Sequence, residues 1–203
     1  MKEKIIEKAT GLFLKLGFKS VTMDDIANEL AISKKTIYTH YKNKTSLVKE
    51  VCLNISEVIT YGIDCICAQN QNPIEELYEI KKFVMLQLNN EKASPQYQLQ
   101  KYYPEISETL KEKNFDKMIG CTRQNLQRGI AQGLYRNNID IDFISRLYFL
   151  SVYGLKDVSI FPESSFNKNE LMEKYLEYHI RGIVTKEGLL TLNKFIKEHY
   201  INV

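Results

Sequence analysis

The chain has 203 residues, 44% of them hydrophobic and 26% charged, a composition that suits one large or two small globular domains with a buried core. Net charge is only +3, but residues 1–50 hold ten lysines against six carboxylates, so any part that faces a polyanion is N-terminal. The longest nearly uncharged apolar run, Leu147 to Leu155, falls far short of the roughly 20 residues a membrane span needs, and charges interrupt the N-terminal MKEKIIEKATGLFLKLG where a signal peptide would be apolar, so a cytoplasmic protein is expected.

Helical spacing of Ile5, Ile6, Ala9, Leu12, Phe13 and Leu16 predicts a first helix that stops at Gly17. Thr22 is an N-cap for a second: its hydroxyl can take an orphan amide, Asp25 completes a capping-box-like pair, and Val21 staples onto Ile26. That helix buries Met23, Ile26, Ala27 and Leu30. Ser33 then caps a third, with Ile32 stapled to Ile37. Two short helices joined by a three-residue turn must cross, which is the geometry of a helix-turn-helix.

The third segment carries the strongest chemical signal. Residues 31–47, AISKKTIYTHYKNKTSL, contain four lysines, a histidine and two tyrosines, and no carboxylate occurs from Leu30 to Lys49. A solvated helix face normally interleaves both signs of charge. With Ile37 and Tyr41 turned inward, Lys35, Tyr38, Thr39 and Lys42 point outward and Lys34 and Thr36 occupy the exposed first turn, the face that a recognition helix presents to the major groove. Lys34 and Lys35 suit guanine O6 and N7, Thr39 suits a base edge or thymine methyl, and the Tyr38 ring suits sugar or thymine methyl. Lys44 adds a cation to a positive helix end, a phosphate site.

Residues 5–55 resemble the DNA-binding domain of the TetR family of bacterial transcriptional regulators, through AxxLFxxxGF, the T-x-x-x-IA of the second helix and the S-x-x-T-I-Y-x-H-Y-x-N-K-x-x-L after it. The resemblance implies that Thr22, Thr36, Tyr38, His40 and Lys44 contact phosphate or hold the recognition helix, while Lys34, Lys35 and Thr39 lie where operator bases are read. Lys35 departs from the small residue or proline common in the family. The implied architecture is all-α: a three-helix DNA-binding domain (1–46) joined through a long fourth helix to a helical ligand-binding and dimerisation domain (47–203).

Beyond residue 55 the likeness is architectural. Leu47, Val51, Ile55, Val58 and Ile59 predict a long fourth helix toward Ala68, and Asn72-Pro73, Ser94-Pro95 and Tyr103-Pro104 each open a helix with proline in its first position. The segment after Pro104 runs helically to Gln132, with Gly133 as C-cap; Asn167 with Glu170 starts a further long helix, and Thr185 a last one. The family implies a two-fold dimer built from about 140–157 and 170–185, and a pocket whose walls include Phe83, Tyr97, Tyr102, Tyr103, Cys121 and Tyr148, side chains that suit an amphipathic effector.

No enzyme is expected, since no phosphate loop, G-x-S-x-G or H-E-x-x-H occurs. Cys52, Cys65, Cys67 and Cys121 lack paired C-x-x-C spacing and the three histidines are scattered, so neither metal nor cofactor is expected and the cysteines read as small buried hydrophobes. The expected partners are an operator duplex, a second copy of the chain and a small effector. The expected function is a ligand-responsive repressor on a palindromic operator. The alternative is an architectural DNA-binding protein without an effector.

Overall fold

The computed structural model describes residues 1–88, 95–162 and 164–200, in which every regular element is a helix. In chain order these are α1 (Lys2–Leu16), α2 (Met23–Glu29), α3 (Lys34–Tyr38), α4 (Lys44–Cys67), α5 (Pro73–Gln87), α6 (Pro95–Tyr102), α7 (Pro104–Ala131), α8 (Ile141–Gly154), α9 (Lys168–Ile183) and α10 (Lys186–Tyr200). All three prolines expected to open helices do so; Ser94 lies outside the described residues. The chain divides into two compact units, Met1–Tyr61 with Met85–Asn114 and Gly62–Val84 with Phe115–Val203.

The first unit is organised by side chains that local spacing places on common faces. Ile5, Ala9 and Phe13 of α1 are fully buried against Ile26 of α2, Ile37 of α3 and Leu47, Val48 and Val51 of α4. Each large aliphatic side chain so buried contributes about 1.5–3 kcal/mol. Gly17 ends α1 at φ 86, a left-handed conformation open to glycine, and its N–H donates to the Phe13 carbonyl at 2.8 Å. Leu99 of α6 and Ile106 of α7 complete this core.

Cap chemistry sets the helix starts. Thr22 and Asp25 form a reciprocal capping box, with Thr22 N donating to Asp25 Oδ2 at 2.7 Å and Asp25 N to Thr22 Oγ1 at 3.2 Å. Ser33 Oγ accepts from Thr36 N at 3.1 Å, and Asn43 and Ser46 cap α4 reciprocally at 2.8 and 3.2 Å. Between α2 and α3 the chain reverses through Ala31 at φ 52, where Ile32 N reaches back to the Ala27 carbonyl at 3.0 Å.

In the second unit Ile74, Leu77 and Tyr78 of α5, Leu126 of α7, Leu176, Ile180 and Ile183 of α9 and Leu192 of α10 share a core. A polar network runs through it. Glu76, 1% exposed, pairs with Arg128 and accepts from Asn125 Nδ2 at 2.8 Å, and Asn125 Oδ1 accepts from the Tyr135 hydroxyl at 3.1 Å. A buried carboxylate is tolerable only when paired and hydrogen-bonded in this way. Tyr135 sits so close to α7 that a Cβ on Gly129 would lie 2.1 Å from its ring. Asp140 and Asn167 cap α8 and α9, and Thr185 Oγ1 accepts from Gly188 N at 3.1 Å at the start of α10.

A candidate nucleic-acid interface

The α2–α3 pair is held from within, so that its outer face is free for other work. Ile37 is fully buried and Tyr41 is 3% exposed, which fixes the rotation of α3. Burial, with a smaller effect of Glu50, pushes the Tyr41 hydroxyl up to about 12, so the side chain serves as a neutral anchor. With that face turned in, Lys34, Lys35, Tyr38, Thr39 and Lys42 are exposed as the helical spacing predicts, Thr36 is only half-exposed, and His40 is exposed as well.

The exposed groups differ in how far they are already engaged. Lys34 Nζ donates to Asp24 Oδ2 at 2.6 Å, a bond that raises the lysine above its ordinary pKa, whereas Lys35 has no carboxylate partner among the described residues. Pairs this exposed contribute little to stability, so Lys34 can exchange Asp24 for another acceptor. Thr36 is committed to the cap: its hydroxyl lies 2.9 Å from Ser33 Oγ and its carbonyl accepts from Thr39 Oγ1 at 2.7 Å. Thr22 is committed to Asp25, and its hydrogen bonds hold that carboxyl below the usual range.

Lys44 occupies the first position of the 24-residue α4, and its Nζ donates to the Lys19 carbonyl at 3.1 Å. Burial lowers its pKa, with the Asp25 charge opposing. A cation beside the free amides of a helix N-terminus makes an anion-binding end.

The residues expected at an effector pocket do not share one compact unit. Tyr97 and Tyr102 are exposed on α6, and Tyr103 packs edge-on against Phe18 at 6.4 Å; all three belong with the helix-turn-helix. Phe83, Cys121 and Tyr148 belong to the other unit. There a Cβ on Gly62 would lie 2.1 Å from the Phe83 ring, and Tyr148 is tilted against His179 at 4.8 Å and stacked on Tyr175 at 5.9 Å. Burial pushes the Cys67 thiol up to about 12 and raises the Cys121 thiol as well. Cys52 is buried as expected, but Cys65 is exposed: it falls on the open side of the last turn of α4, a position that C-x-C spacing does not reveal.

Sequence reasoning missed the Glu76–Arg128 network and His179, because a lone charge or histidine in a helix carries no periodic signature. It also missed the tie from α6 to the loop between α1 and α2, where Gln98 accepts from the Lys19 amide at 2.9 Å. Among the described residues no group of three or more His, Cys, Asp or Glu could hold a metal ion, and no helix is long and apolar enough to cross a membrane.

The capped helix pair with its basic outer face is a helix-turn-helix of the kind that DNA-binding regulators carry. Residues 5–51 match the family profile described as "Bacterial regulatory proteins, tetR family". The chain is 22% identical over 198 residues to the HTH-type transcriptional repressor KstR2 of Mycolicibacterium smegmatis, covering 92% of each chain. It is 32% identical over 87 residues to IcaR of Staphylococcus epidermidis, the negative transcriptional regulator of a biofilm operon, covering 41% of this chain and 45% of that one. Its fold is similar to that of a transcriptional regulator from Cytophaga hutchinsonii, with a TM-score of 0.72 at 19% identity, covering 90% of this chain and 98% of that one. The N-terminal domain, residues 5–51, is thus of the TetR family type.

Proposed function

We propose that this protein is a ligand-responsive transcriptional repressor that binds a palindromic operator as a homodimer in the cytoplasm and is released by a small effector. The observation that carries this reading is the second helix of the helix-turn-helix with the turn after it, anchored by Ile37 and Tyr41: the helix presents Lys35, Tyr38 and Thr39 outward and the turn presents Lys42, without a carboxylate. One such helix reads few bases, and a two-fold axis brings two of them to successive major grooves about 34–36 Å apart.

The second copy has a surface to use. On α8 Phe143, Leu147 and Leu150 are 60%, 40% and 67% exposed at helical spacing, and Tyr178 on α9 is 77% exposed. Gly154 and Gly182 continue these stripes, and nothing lies within 4 Å of where a Cβ on either would stand. Packing within the chain does not require those glycines; close approach of a partner's helices accounts for them.

We place the effector contacts at Phe83, Cys121 and Tyr148, in the unit that holds the dimer face. The helix α4 has Lys44 at its first position and Cys67 at its last. An effector that favours a shifted α4 therefore changes the placement of Lys44 and of the recognition helix behind it. A 100-fold preference for the shifted state supplies about 2.7 kcal/mol, and DNA weakens effector binding by the same amount. Selection of duplexes from a random pool, followed by competition with bulk DNA, tests the reading. A palindrome preferred by about 10³-fold or more is expected. Binding without sequence preference would favour the architectural alternative and refute the repressor.

A further inference from the structure

The α6 helix extends the basic surface past the helix-turn-helix. Lys19 is the joint: its carbonyl accepts from Lys44 Nζ at 3.1 Å, and its amide donates to Gln98 Oε1 on α6 at 2.9 Å. The start of α4 and the exposed side of α6 thus meet on a single residue. The Lys19 ammonium stands over the Tyr102 ring at 4.8 Å, and the Lys101 ammonium stands over Tyr102 at 5.6 Å and Tyr97 at 5.5 Å, donating to the Tyr97 hydroxyl at 3.3 Å. Tyr97, Lys101 and Tyr102 are exposed, and neither Lys19 nor Lys101 pairs with a carboxylate among the described residues.

Aromatic faces hold an ammonium in place without cancelling its charge. Two lysines parked on two tyrosine rings are therefore cations with restricted freedom and unneutralised charge, and the phenol hydroxyls beside them are further donors. Their common partner is an anion with repeated charges. The strip continues directly from Lys44, the phosphate contact of the proposed operator complex, so the same polyanion reaches it.

We propose that Lys19 and Lys101, set on Tyr97 and Tyr102, form an auxiliary phosphate-binding strip that grips the DNA backbone flanking the sequence read by the recognition helix. This rests on the DNA-binding reading above. The strip touches no base, so it adds affinity and salt dependence without adding sequence preference.

The test uses a duplex recovered by selection from a random pool, in a form trimmed to the palindrome and a form extended by about ten base pairs at each end, with affinities measured by fluorescence anisotropy from about 50 to 300 mM salt. The wild-type protein is expected to bind the extended duplex more tightly, with a log–log salt slope steeper by about 0.9 for each phosphate gripped. Lys101→Gln and Lys19→Gln should each lose about 5- to 10-fold on the extended duplex per contact removed, leave the trimmed duplex unchanged, and be rescued by arginine. Equal wild-type affinity and slope for the two duplexes would overturn the proposal. So would variants that weaken both duplexes alike, since the lysines would then act through the fold. Failure of the wild-type protein to select any duplex would instead strike the DNA-binding reading, and this inference with it.

Discussion

His179 gives the second unit a built-in sensitivity to acid. The side chain is 7% exposed, packed on Tyr148 and Tyr175, and burial pushes its pKa from 6.5 down to about 4. Since the unfolded chain takes up the proton near 6.5 and the folded one only near 4, stability is full above 6.5 and falls as pH drops between these values. One pKa unit corresponds to about 1.4 kcal/mol, so between pH 7.5 and 5 the linkage amounts to roughly 2 kcal/mol. Urea unfolding of wild type and His179→Phe at several pH values, at one protein concentration, isolates the effect, because phenylalanine keeps an aromatic ring against Tyr148 and Tyr175 and cannot be protonated. The wild type should lose about 2 kcal/mol more than the variant on going from pH 7.5 to 5. Parallel pH profiles for the two proteins would show that His179 is not held neutral by its surroundings.

Two glycines of α7 should respond to alanine with opposite signs. Gly120→Ala meets nothing within 4 Å and should stabilise by about 0.5–1 kcal/mol, while Gly129→Ala drives a methyl into the fully buried Tyr135 ring and should destabilise by about 1–3 kcal/mol, both read by urea midpoints. Lys35→Ala should cost roughly 1–3 kcal/mol at one base pair per half-site, seen by binding a panel of point-substituted operators; equal losses on every sequence would show that the recognition face is misplaced. Lys44→Ala should instead weaken all duplexes alike and reduce the salt slope by about one per contact. Leu150→Glu should convert the dimer to monomer in sedimentation at micromolar concentration, and an unchanged dimer would remove α8 from the interface.

Short-range spacing along the chain is enough to fix the local grammar of the helix-turn-helix end. Threonine and serine caps, staples and the turn at Gly17 are interactions between residues three to five apart, so Thr22–Asp25, Ser33–Thr36 and the inward Ile37 are legible from spacing alone. The outward lysines follow by elimination from that same spacing. Relations between residues far apart in the chain emerge only with packing. Leu14 lies off the apolar stripe of α1 and is nonetheless 4% exposed, and Leu16 lies on the stripe and is 49% exposed, because burial depends on what covers a face as well as on which face it is. The Glu76–Arg128 pair spans 52 residues, and the Lys19–Gln98 bond spans 79. No periodicity encodes such a partner; it exists once helices from distant parts of the chain are packed side by side. The exposure of Tyr97 and Tyr102 on α6, with Lys19 over the Tyr102 ring at 4.8 Å, is likewise a relation that spacing does not reveal.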